Sequence, residues 1–262
     1  MARKSSAITG YHAIAEYIRR SSDAVLYLVA KESVGNPRVK ELELLALEHD
    51  VEVKKVATSE ELAGLGGLGR EAARDARGAA LLIHETSTPR SEQAISAGAL
   101  KELIESLGEG PSLVLMLDGV TDPQNLGAVM RSADQFAVEL LILPTRRSVH
   151  ETGTVARTSS GASAHVRVAE VSNLNGAIKA LQEGGFWVYG ADMAGKPAPS
   201  CDFRGRVALV MGSEGAGLAR LVRENCDALI AIPSRGHIDS LNISVAAGIL
   251  MYEVRRQHWF PE

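Results

Sequence analysis

The chain has 262 residues, 45% of them hydrophobic and 23% charged, with a net charge of −4. This composition is globular and long enough for two domains of ~100–200 residues, and no basic excess advertises nucleic acid, so any RNA or DNA contact must come from local patches. The two cysteines, Cys201 and Cys226, are too few and too far apart for a disulfide framework or four-ligand zinc site, and no metal is expected, while the lack of a membrane-length apolar run or signal-peptide core predicts a soluble cytoplasmic protein.

Apolar spacing predicts a helix over 11–20, with Ala13, Ile14, Tyr17 and Ile18 on one face, and a strand over 24–30. A helix over 37–49 follows, with Val39, Leu42, Leu45 and Leu47 apolar, then a strand over 51–57. Ser59 is read as the cap of a short helix that runs into glycines, and 79–85 as a third strand. These elements make residues 1–86 one small α/β domain. Residues 87–111 begin polar and proline-bearing, turn helical near 99–107 and end in Gly-Glu-Gly-Pro, which reads as an interdomain linker. From 112 to 262 strands are expected at 112–119, 139–144, 165–171, 186–192, 206–212 and 228–233, with a last helix from about 240 to 257. Most are apolar throughout, as in a parallel sheet covered on both faces, so the class is α/β.

Ligands of open α/β sheets bind beyond the carboxyl ends of strands, and three such corners are unusual. In DGVTDPQNLGAVMRSA (118–133), Asn125 is read as a helix N-cap, with Val129, Met130, Ala133 and Phe136 as the buried stripe and Arg131 beside it. In VMGSEGAGLARL (210–221), Gly212, Gly215 and Gly217 follow a strand, but neither a phosphate-loop lysine nor the dinucleotide glycine spacing is present. Glu214 sits in that turn. In IPSRGHIDSLNISVAAGILMYE (232–253), Ser240 or Asp239 is expected to cap a helix rich in small residues, and Asn242 is a poor helix former retained for another purpose.

Together the three corners closely resemble the motifs of the SpoU (TrmH-like) class of SPOUT RNA ribose 2′-O-methyltransferases: Asn125 through Arg131, then Met211 to Gly215, then Ile232-Pro233 with Ser240-Leu241-Asn242. Order and separation match across 112–257. The opening ITGYHAIAEYI (8–18) is similar to the start of the L30e-like RNA-binding domain that precedes the catalytic domain in many members. Within that class the sequence resembles the bacterial 23S rRNA (guanosine-2′-O)-methyltransferases, which implies a guanosine ribose of 23S rRNA as target. The SRGHID segment (234–239), with Arg235 and His237, is more polar than is usual there.

The resemblance implies a C-terminal SPOUT domain with a mostly parallel sheet and a deep trefoil knot. It implies S-adenosylmethionine as methyl donor, held by backbone atoms of Met211, Gly212, Ile232 and Leu241, and a homodimer with the site near its interface. It makes Asn125, Arg131, Glu214, Ser240 and Asn242 the catalytic set. The family role of Arg131 is general base. Because arginine stays protonated, with a pKa above ~12, a second role is open to it, as a cation on a phosphate or on the developing alkoxide. Asn125 is expected to orient Arg131 or the ribose, Glu214 to pair with Arg131, and Ser240 and Asn242 to hold the donor loop and the RNA backbone. Arg146, Arg147 and Arg157 are candidate RNA contacts, as is an N-terminal set that includes Arg19 and Arg38. Within this class the alternative substrates are tRNA and the rRNA sites of antibiotic-resistance methylases. Outside it stand a non-catalytic RNA-binding assembly protein and a nucleotide enzyme such as a dehydrogenase.

Overall fold

A computed structural model describes residues 5–19, 24–30, 35–65, 73, 76–84, 94–145, 165–236 and 240–260. These fall into two compact units, one N-terminal and one that begins before residue 94.

The first unit contains β1 (Ser5–Thr9), α1 (Tyr11–Ile18), β2 (Ala24–Val29), α2 (Pro37–Glu48), β3 (Glu52–Val56), α3 (Ser59–Ala63) and β4 (Ala79–His84). Its sheet runs β1-β4-β2-β3, with β2 and β3 parallel and both contacts of β4 antiparallel. Side chains alternate along each strand. Leu26, Leu28 and Leu81 therefore join Ile14, Ile18 and Leu42 on one face, while Val29, Ala80 and Leu82 meet Leu62 on the other. Three readings of the sequence change here. Strand β1 was not anticipated, because its partner β4 lies some seventy residues away and no local turn announces the pair. Thr58, not Ser59, caps α3, its hydroxyl accepting from Glu61 N at 3.2 Å. Leu47 is exposed on α2, and Ala46 takes the inner position beside Val39 and Leu42.

The second unit contains α4 (Ala97–Glu105), β5 (Ser112–Leu117), α5 (Pro123–Gln135), β6 (Leu140–Pro144), β7 (Val168–Val171), α6 (Leu174–Glu183), β8 (Trp187–Pro197), β9 (Arg206–Met211), α7 (Arg220–Asn225), β10 (Ala228–Ala231) and α8 (Ile243–Trp259). Its sheet is parallel throughout, ordered β10-β8-β9-β5-β6-β7. Val114, Met116, Leu140 and Ile142 point into a core with Ile178 and Leu181 of α6. Leu113, Leu115 and Leu117 are equally buried on the opposite side, where α8 packs against α5 and β9.

The helix assigned to the linker belongs to this unit. Leu100 and Ile104 of α4 are part of the same core as α6. Arg206 fastens that contact, donating to Gly184 O at 2.6 Å and Ile104 O at 3.2 Å while stacking on Phe186. A periodic apolar face is indistinguishable in sequence from a linker helix until its partner is known. On α8, Arg255 is buried and donates to Phe136 O at 2.7 Å, to Ala137 O, and to Glu139 Oε2 at 2.8 Å. It ties the end of α5 to the end of α8. No helix among the described residues is long and apolar enough to cross a membrane.

Candidate active site

Because the second sheet is parallel, the carboxyl ends of β5, β9, β8 and β10 lie along one edge. The chain winds from β5 outward through β6 and β7 on one side, and β9 lies on the other. Such a reversal is where open sheets bind ligands.

At the first corner the helix start is Asp122, whose carboxylate accepts from Gln124 N at 2.8 Å, with Pro123 in the first turn. Asn125 is thus the third helical residue and not the N-cap expected from sequence. An aspartate followed by proline is itself a helix-start signal, and it outranks an asparagine three positions on. Relieved of capping, the buried Asn125 amide is available for other bonds.

The second corner is a rigid loop. Ser213 N donates to Gly217 O at 3.0 Å and Gly217 N returns to Ser213 O at 2.9 Å. Gly215 and Gly217 have φ of 80° and 66°, a left-handed backbone that glycine adopts at little cost. Gly212 presses directly on this turn, where an added Cβ would sit 2.2 Å from the Gly217 carbonyl carbon. The exposed Glu214 stands at the tip.

At the third corner the cap is Asn242, not Ser240. Its Oδ1 accepts from Ser244 N at 2.9 Å and from Ser244 Oγ at 2.6 Å. The alternative, Asp239, lies outside the described residues, as does His237. With its oxygen committed to the cap, the Asn242 NH2 faces away from the helix. That group donates to Glu214 Oε1 at 2.8 Å and to Asn125 Oδ1 at 3.0 Å. Asn125 Nδ2 also donates to Glu214 Oε1, at 3.1 Å. Three corners far apart in sequence therefore close into one triangle of hydrogen bonds, and a carboxylate acceptor strengthens two of its sides.

Met211 is the buried last residue of β9, and Gly212 follows it half-buried. Ile232 follows β10, also half-buried. Ser240 and Leu241 immediately precede Asn242, and Leu241 is 44% exposed, a large apolar side chain left open to a ligand. Arg131 is exposed on α5, six residues beyond Asn125. Arg146, Arg147 and Arg157 lie outside the described residues. Cys226, near Gly190 and Leu218, is pushed up to about 12 by burial and by the carboxylates of Asp227 and Asp118. It is no thiolate nucleophile at neutral pH. Among the described residues no group of three or more His, Cys, Asp or Glu side chains is placed to hold a metal.

One participant was missed in the sequence. Asp118 N donates to Met211 O at 2.7 Å, and its Oδ2 accepts from Ala219 N at 2.8 Å. Asp118-Gly119 reads locally as a turn, and nothing nearby in sequence hints at a partner a hundred residues on.

Residues 112–252 match the model of the SpoU rRNA methylase family. The chain belongs to that family. It is similar to the 23S rRNA (guanosine-2′-O-)-methyltransferase RlmB of Xanthomonas campestris, with 38% identity covering 98% of each chain. The protein of the same name from Xylella fastidiosa, strain Temecula1, is 39% identical over 98% of both chains. Among solved structures, the SpoU methyltransferase AviRb of Streptomyces viridochromogenes, in complex with AdoMet, has a TM-score of 0.73 at 20% identity. The match covers 98% of this chain and 91% of that one. All three members of the triangle lie within the residues that match the family.

Proposed function

We propose that this member of the SpoU family transfers the methyl group of S-adenosylmethionine to a ribose 2′-hydroxyl of a guanosine in 23S rRNA. The observation that carries the reading is the Asn125–Glu214–Asn242 triangle, which joins all three motifs at one sheet edge. The target follows the relatives named for 23S rRNA guanosine methylation, which align with the chain over nearly its whole length. The donor site fits the residues present. Gly212 packs its backbone against the 213–217 turn at the β9 end, while Ile232 and the exposed Leu241 offer apolar contact without fixed charge, as an adenosyl group requires. Met211, Gly212, Ile232 and Leu241 would hold the donor.

When bound, S-adenosylmethionine supplies an electrophilic methyl on its sulfonium sulfur. The protein's task is positioning and electrostatics. The triangle fixes the loops that carry the donor site before RNA arrives, so no reorganisation is charged to the reaction step. Ser240 and Asn242 hold the donor loop against the RNA backbone. Arg131 acts as a positioning cation: protonated throughout, it binds a phosphate or the ribose oxygen as negative charge develops there, and the hydroxyl proton leaves to water or a phosphate oxygen.

The first unit serves in this reading as an L30e-like RNA-binding domain over residues 1–86, with Arg19 and Arg38 exposed on it. The second is a SPOUT domain that closes in a trefoil knot. Arg146, Arg147 and Arg157 add phosphate contacts. The active form is a cytoplasmic homodimer, joined through the groove that Ala128, Ser132 and Phe136 form with Val245, Gly248, Ile249 and Tyr252. Val245, Ile249 and Tyr252 recur at helical spacing on α8, each at least 41% exposed in the single chain, an apolar stripe suited to burial.

The test is Arg131→Ala. Methyl incorporation into 23S rRNA fragments should fall by at least ~100-fold, the scale of removing one transition-state contact. Calorimetric binding of S-adenosylhomocysteine should persist. Unaltered turnover refutes the assignment.

A further inference from the structure

We propose that Asp118 is a positioning residue for the donor site, clamping the two ends of the 212–219 loop; this rests on the methyl-donor reading above. The argument begins with the loop's boundaries. Leu117 and Met211 are register partners in adjacent parallel strands, so the chains leave the sheet side by side. Asp118, the first residue beyond β5, donates its amide to Met211 O and thereby fixes the loop's entry. Its carboxylate then reaches the loop's exit and accepts from Ala219 N. One residue holds both ends.

The exit needs such a partner. Ala219 is the N-cap of α7 and has no side chain able to cap it. The first amides of a helix have no acceptor within the helix. Asp118 supplies one from 101 positions earlier in the chain. Between the clamped ends, Ser213 and Gly217 close the turn on itself and Gly212 abuts it, leaving little slack. Glu214 at the tip then meets Asn125 and Asn242 at fixed distances. The Asp118 carboxylate touches neither of those amides. Its effect reaches the site through the placement of Met211, Gly212 and Glu214.

A residue that merely stabilised the fold would move the melting temperature and leave ligand affinity alone. The clamp predicts a different pattern. Asp118→Ala should accelerate hydrogen exchange at the Ala219 amide and weaken S-adenosylhomocysteine by about tenfold or more, the effect of losing a bond to a charged acceptor. Asp118→Asn keeps an acceptor oxygen and should restore most of both. Ala219→Pro supplies a second route to the same loss. Proline lacks the donor, and its fixed φ near −65° matches the −58° of Ala219. It should reproduce the weakened binding even if Asp118→Ala fails to fold. Unchanged affinity in a folded Asp118→Ala or Ala219→Pro protein overturns the proposal, as does an Asn variant no better than Ala. Wild-type protein that binds no S-adenosylhomocysteine overturns the donor reading along with it. Wild-type protein that binds the ligand but methylates no RNA overturns the proposed reaction and leaves the clamp standing.

Discussion

Replacing Gly212 by alanine adds one methyl group to the most crowded point of the site. The new Cβ would lie 2.2 Å from the Gly217 carbonyl carbon and 2.4 Å from both Gly217 O and Leu218 N. Carbon atoms in good contact stand ~3.5–4.0 Å apart, so the shortfall is about 1.3–1.8 Å. No flexible side chain is there to yield, since all three near atoms are backbone. The turn must open, stretching the reciprocal Ser213–Gly217 bonds. Overpacking of this kind costs ~1–3 kcal/mol. For a protein of this size that predicts a melting temperature lower by ~2–12 °C. Gly110→Ala is the control, because its added Cβ meets nothing within 4 Å and its φ is not left-handed. Scanning calorimetry reads the stability, and titration with S-adenosylhomocysteine should show affinity falling at least tenfold, equivalent to ~1.4 kcal/mol. A Gly212→Ala protein that melts and binds like wild type would refute the account of a backbone-built donor corner.

Two further outcomes are expected. Burial, helped by the neighbouring Arg255 guanidinium, holds His258 below the ordinary imidazole range. Its Nδ1 lies 2.9 Å from Arg255 Nη1, and its Nε2 lies 2.7 Å from Phe203 O, so the folded state suits the neutral ring. The unfolded chain takes up the proton first, and this contribution to stability is full above ~6.5 and is lost as pH falls below it. Melting temperatures recorded between pH 7.5 and 5.5 should decline less steeply for His258→Gln, and parallel curves would contradict the assignment. Ile249→Arg places a charge in the groove between α5 and α8. Light scattering should report a dimer for wild type and a monomer for the variant, and a variant that stays dimeric would place the interface elsewhere.

The α/β class, all six strands of the second sheet and the family were legible because apolar runs and motif order are local properties. What sequence concealed was pairing. Strand β1 depends on β4, and the supposed linker helix shows its role only once Leu100 and Ile104 meet α6. The site was legible as a set of residues and illegible as a network. Asn125 and Asn242 were both singled out, yet their bonds to Glu214 cross 89 and 28 positions. The cap assignments failed for a simpler reason. Several polar residues near a helix start compete for one position, and proline at 123 decides for Asp122 while the Ser244 amide decides for Asn242.

The triangle spans Asn125 to Asn242, and its last member opens the final helix. A ribosome making this chain has therefore supplied most of the second sheet before the third corner exists. Until α8 emerges and docks, Glu214 and Asn125 lack their shared partner, and a truncated product stopping near residue 235 would carry two of the three motifs and no assembled site. The hydrogen-bonded corner is thus completed by the same segment that completes the fold.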